Sequence, residues 1–106
     1  MEPHRYFEVD GADVLLRLPV TPWEAALGAT VQTPTLGGKV DLKVPAGSQT
    51  GSRLRLRGRG LPGSPAGDQL VILQVEVPPA DTDARRALYE KMRREMPFEP
   101  RDRLDD

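Results

Sequence analysis

Apolar and polar positions alternate with period two through most of the chain and change period only near its end. In RYFEVDGADVLLRLPV, apolar residues flank Asp10-Gly11, a pair suited to the positive φ angles of a tight turn. Val14, Leu16, Leu18 and Val20 alternate on one face, which predicts a half-buried strand. VTPWEAALGA then predicts a short helix. Thr21 can cap it, Pro22 fits its first turn, Glu24 completes a T-x-x-E capping box and Gly28 stops it. TVQTPTLGGKVDLKV predicts a second hairpin, with strands over 30–33 and 39–44 joined by a turn at Leu36-Gly37-Gly38. The loop PAGSQTGS leads to a strand over Arg53–Arg57, and GRGLPGSPAG is a long glycine- and proline-rich connection. DQLVILQVEVP is the longest apolar run and predicts a strand covered in part on both faces.

After Pro78-Pro79 the pattern becomes helical. DTDARRALYEKMRREM predicts a helix from about Thr82 to Met96, capped by Asp81 or Thr82. Leu88, Met92 and Met96 recur at helical spacing with Tyr89 beside them, while Arg86, Glu90, Arg93 and Arg94 lie opposite. Pro97 separates the tail PFEPRDRLDD from this helix. The fold class expected is mainly β, a small two-sheet β-sandwich with one short helix near the start and a C-terminal amphipathic helix. Residues 1–80 form the sandwich and 81–106 the helix and tail.

Composition narrows the chemistry. At 106 residues the chain has the size of one domain, and a net charge of −1 creates no global field for nucleic acid or an anionic membrane. Any such attraction has to be local. With no cysteine and one histidine, His4, there is no disulfide framework, no thiolate chemistry and no His/Cys metal site. No cofactor is expected. No apolar run approaches the roughly 20 residues of a membrane helix. The chain opens almost directly on a strand pattern, which suggests a piece of a longer protein.

RLRLRGRGLPG, Arg53 to Gly63, contains two candidate signals. Its glycines spell G-x-G-x-x-G, but a dinucleotide site needs a helix starting in that turn, and Pro62 and Pro65 interrupt it. A glycine-rich connection between strands fits better. With Arg59 following as a further candidate nucleic-acid contact, Arg53, Arg55 and Arg57 place a basic stripe opposite Leu54 and Leu56. A solvated strand face that discourages edge pairing accounts for it; a surface for phosphates is the alternative. No aromatic stacking platform lies nearby.

Trp23 reads as a core anchor, with Leu16, Leu18 and Leu27 as neighbours. Ser48, Ser52 and Ser64 have no histidine base beside them, and the carboxylates are scattered, so no catalytic constellation is visible. The last helix can fold back on its own sheet. Alternatively its Leu88, Tyr89, Met92 and Met96 stripe, with Phe98 beyond, can pair with a second copy.

Taken in order, PWEAALG, TPTLGGKVDLKVPAGSQTGSRLRLRGRGLP and GDQLVILQVEVP make the chain resemble the second C-terminal β-domain of DnaJ-type J-domain co-chaperones. The final helix and FEPR, Phe98–Arg101, are similar to the zinc-free, curved-DNA-binding-protein-A branch of that family. The resemblance implies a sandwich whose last helix forms a homodimer. It further implies support for binding unfolded client polypeptides and delivery to a DnaK-type chaperone through other parts of the protein. A cytoplasmic location follows, nucleoid-associated if the arginine strand binds DNA. The chain lacks the family's His-Pro-Asp signature, since Arg5 follows His4, and it lacks a Gly/Phe-rich linker and a cysteine-rich module.

Overall fold

The computed structural model describes residues 7–105. His4 and the first two residues of the expected opening strand, Arg5 and Tyr6, lie outside them. The elements are β1 (Phe7–Asp10), β2 (Asp13–Val20), α1 (Pro22–Leu27), β3 (Ala29–Thr35), β4 (Gly38–Val44), β5 (Arg53–Leu56), β6 (Gln69–Val75) and α2 (Asp83–Glu95), followed by a 3₁₀ turn at Asp102–Asp105. β1 and β2 form the expected hairpin. Its loop is Gly11-Ala12, and Gly11 at the first loop position supplies the positive φ of 65°.

Two sheets form the sandwich. One has four strands in the order β1-β2-β6-β5, and the other is the β3-β4 hairpin. The central pair, β2 and β6, is parallel and in register from Val14↔Gln69 to Val20↔Val75. This register sets Val14, Leu16, Leu18 and Val20 beside Gln69, Val71 and Leu73, all of them buried. The hairpin supplies the opposing layer through Leu42 and Val44, with Val31 packed against them. Each such side chain contributes about 1.5–3 kcal/mol on burial. Gln69 is also fully enclosed, and its Nε2 donates to the Pro34 carbonyl at 2.9 Å, tying β6 to β3 across the sandwich.

α1 has the expected cap. The Thr21 hydroxyl accepts from the Glu24 N–H at 3.2 Å, and the Thr21 N–H donates to Glu24 Oε1 at 2.9 Å. Its end is held by the next loop, where the Gly47 and Ser48 N–H groups donate to the Ala26 and Ala25 carbonyls at 3.1 and 2.9 Å. The helix buries Ala25 alone. Trp23 is therefore not the core anchor expected of it, being 56% exposed, and Leu27 is exposed as well. Helix geometry supplies the reason. Residues two positions either side of Ala25 are turned about 200° from it, so Trp23 and Leu27 share the outer face.

α2 begins at Thr82, whose hydroxyl accepts from the Arg85 N–H at 3.1 Å. It buries no residue. It does not fold back on the sheet. The radius of gyration, 17.1 Å, exceeds the roughly 13 Å of a compact domain of this length because α2 extends beyond the sandwich. Leu73→Ala, at the centre of the core, is expected to lower unfolding stability by about 2–5 kcal/mol in denaturant titration, with Leu27→Ala on the outer face of α1 changing it by less than about 1 kcal/mol.

Candidate interaction surfaces

The glycine-rich stretch after β5 is a closed loop fastened to the start of the β2–β6 pair. The Gly60 N–H donates to the Gly67 carbonyl at 2.9 Å, the Leu61 N–H to the Ala12 carbonyl at 2.9 Å, and the Gly67 N–H to the Leu61 carbonyl at 3.0 Å. A Cβ on Gly67 would stand 1.7 Å from the Ala12 carbonyl oxygen, and one on Gly60 would stand 2.5 Å from that of Asp68. Gly60, inside G-x-G-x-x-G, and Gly67, beyond it, thus permit backbone to touch backbone. The element that follows is strand β6, so the loop ends in no helix N-terminus that could hold a pyrophosphate.

Asp68 is the hub of this loop. Its Oδ1 accepts from the Gly58 N–H at 2.9 Å, and its Oδ2 pairs with Arg55 Nη1 at 2.6 Å. Its own N–H donates to Asp13 Oδ1 at 2.8 Å. The Gly58 N–H first, and the Arg55 guanidinium second, hold the Asp68 carboxyl below its usual range.

The arginines of β5 project from the exposed side of the four-stranded sheet. β5 is an edge strand, with Arg53 and Arg55 exposed and Leu54 and Leu56 half-buried. Arg55 is committed to Asp68. Among the described residues, Arg53, Arg57 and Arg59 make no ion pair. Register adds a residue that sequence pattern does not disclose. Arg17 of β2 and Arg53 of β5 both pair with Ile72 of β6, so the two guanidinium-bearing positions stand in one row across the sheet, on the face carrying Arg55. Arg17 also pairs with Glu8 at 2.7 Å. Only the alternation in VLLRLPV, which turns Arg17 away from Leu16 and Leu18, hints at this from sequence.

The second surface is α2. Leu88, Met92 and Met96 are exposed along one face, and Phe98 just beyond is 80% exposed. Tyr89 is half-buried, and its hydroxyl donates to the Pro78 carbonyl, so this member of the stripe fastens the helix to its own linker. Arg85 and Arg86 pair with Asp81 and Asp83 at 3.0 and 3.2 Å, bracing the first turn. Among the described residues no cluster of histidine, cysteine or carboxylate side chains is arranged to hold a metal, and no helix is long and apolar enough to cross a membrane.

The family model for the DnaJ C terminal domain matches residues 1–78. The chain belongs to this family. A curved DNA-binding protein of Coxiella burnetii (strain Dugway 5J108-111) is 57% identical over 104 residues, covering 98% of this chain and 33% of the relative. One from Pseudomonas putida (strain KT2440) is 43% identical over 103 residues, covering 95% and 32%. A chaperone protein DnaJ of Geobacillus (strain WCH70) is 47% identical over 91 residues, covering 83% and 24%. The chain spans about a third or less of the length of these curated relatives. In this DnaJ C-terminal domain the family match covers the sandwich and ends before α2, whereas the likeness to the curved DNA-binding proteins continues through the helix.

The lowered Asp68 carboxyl gives the domain a pH dependence. Because the folded value lies below the unfolded one, ionised Asp68 stabilises the fold at neutral pH. That contribution disappears as pH falls from about 4 through the folded value. Asp68→Asn is expected to lower stability at pH 7, and to flatten the acid limb of a stability-against-pH curve below about pH 4 relative to wild type.

Proposed function

We propose that this chain is the dimerisation and client-supporting scaffold of a DnaJ-type co-chaperone. The observation that carries the reading is the unpartnered apolar face of α2. Leu88, Met92 and Met96 stay in water on a helix that its own sandwich does not cover, which is costly unless another surface removes them from solvent. A self-complementary stripe on a projecting helix suits a two-fold pair. Tyr89 contributes by holding the helix at a fixed angle through Pro78. In such a dimer two weak sites act on one unfolded polypeptide and gain effective concentration without new contacts. Stimulation of a DnaK-type chaperone belongs to other parts of the full-length protein, since this chain has no His-Pro-Asp. The setting for that work is the cytoplasm.

A second reading has its own support. The row formed by Arg17 and Arg53, with Arg57 nearby, is a basic surface of the kind that meets phosphates. Two of the relatives carry the name curved DNA-binding protein. In this reading the dimer presents two arginine faces to DNA and associates with the nucleoid.

Sedimentation of the chain at about 100 μM is expected to show a dimer, and Leu88→Ala/Met92→Ala to raise its dissociation constant about 100-fold or more. A wild-type monomer at that concentration would refute the scaffold reading. For the arginine surface, DNA binding measured across salt is expected to show a log–log slope about 2 smaller in magnitude in Arg53→Gln/Arg57→Gln, one unit for each phosphate that no longer meets a guanidinium. An unchanged slope would remove that face from consideration.

A further inference from the structure

We propose that a groove beside Trp23 receives Phe98 of a second copy of this chain; the inference rests on the dimer reading above and specifies what completes that interface. The groove holds about 400 Å³ and lies where β2 ends, α1 begins and the chain leaves β6. Pro19, Val20, Trp23, Val77 and Pro78 line it, and Arg85 of α2 closes one side. Trp23 and Val77 are 56% and 71% exposed, so two large apolar side chains stand uncovered there.

The groove is continuous with the stripe of α2. Arg85 precedes Leu88, Met92 and Met96 by three, seven and eleven positions, spacings that put all four on one helix face. The apolar surface therefore runs from the Trp23 groove along α2 to Phe98.

Phe98 cannot fill the groove of its own chain. Arg85 and Met96 are separated by about 16 Å of helix at 1.5 Å per residue, and the two residues from Met96 to Phe98 span about 7 Å at most. A second copy can deliver it. If two α2 helices pair antiparallel about an axis between Leu88 and Met92, Leu88 of each meets Met92 of the other. The partner's Met96 then falls level with the first turn of α2, and the partner's Phe98 lies beyond it, over the groove.

Area favours this occupant. A stable interface covers about 800 Å² on each partner. Three apolar side chains, Leu88 and Met92 on the 13-residue helix and Met96 at its C-cap, fall short of that. Aromatic side chains bury about 150–250 Å² each, so seating Phe98 against Trp23, twice by symmetry, supplies much of the remainder.

Trp23 is the only tryptophan, so its fluorescence reports on the groove alone. Emission is expected to shift to the red as the chain is diluted through its dimer–monomer transition. Phe98→Ala, at a position 80% exposed and so remote from the core, is expected to weaken the dimer about tenfold or more. At concentrations where it still sediments as a dimer, it is expected to keep the red-shifted emission of the monomer. Adding excess Trp23→Phe chain, silent in this assay but bearing Phe98, is expected to restore the blue shift through mixed dimers. Mixed dimers that form without the blue shift, or wild-type emission that is the same in monomer and dimer, would overturn the docking while leaving the helix pair standing. A wild-type chain that stays monomeric in sedimentation would remove both together.

Discussion

The parallel pairing of β2 with β6 is the constraint on which the rest of the molecule hangs. These strands are 55 residues apart at every matched position, from Val14↔Gln69 onward. Closing so long a loop costs conformational entropy, though only logarithmically in its length. The buried rows of Val14, Leu16, Leu18, Val20, Val71 and Leu73 offset it. The segment between the two strands supplies both a covering layer and a further strand of the same sheet. α1, β3 and β4 lie over the inner face, and β5 joins the edge beside β6.

The two ends of this pair organise the two candidate surfaces. At its start the Val14 N–H donates to the Asp68 carbonyl at 3.0 Å, and Asp68 in turn collects Gly58 and Arg55. One carboxylate thus joins the arginine strand and the glycine loop at this point, adding to the β5–β6 ladder and the backbone bonds of the loop. At its other end the Glu76 N–H donates to the Val20 carbonyl at 2.9 Å, the last tie before the chain departs for α2. Trp23, Val77, Pro78 and Arg85 gather around that exit. A change of register in β2–β6 would turn the buried side chains outward and dismantle both surfaces together.

α2 differs in kind from the sandwich. Its cap and first-turn ion pairs define where it starts, and Tyr89 ties it to Pro78, but it contributes nothing to the core. Exposed ion pairs of this sort add well under about 1 kcal/mol each. An isolated helix of 13 residues is marginal in water. Its persistence is best understood if its apolar face is covered by another molecule, which links the local stability of α2 to the assembly proposed for it.

Much of this was legible in the sequence because it is local. Alternation marked β2, β4 and β5, an apolar run marked β6, the T-x-x-E box marked α1 with both of its hydrogen bonds, and prolines in the would-be helix argued against a nucleotide loop. The family motifs from PWEAALG to GDQLVILQVEVP were readable for the same reason, as ordered strings. What pattern could not supply was pairing. Nothing in VLLRLPV or QLVILQV states that they lie parallel, so the row of Arg17 with Arg53 and the enclosure of Gln69 beneath Pro34 emerge only once the strands are matched. The expected burial of Trp23 fails for the same reason. Hydrophobicity names a residue that prefers burial, but in a helix six residues long the core admits one face, and the sandwich assigns that face to Ala25. Strands, helices and caps were therefore set along the chain, because their periods and hydrogen bonds act within a few residues. Which apolar side chains the core could not take was settled in three dimensions, because that depends on which strands meet and how much room they leave.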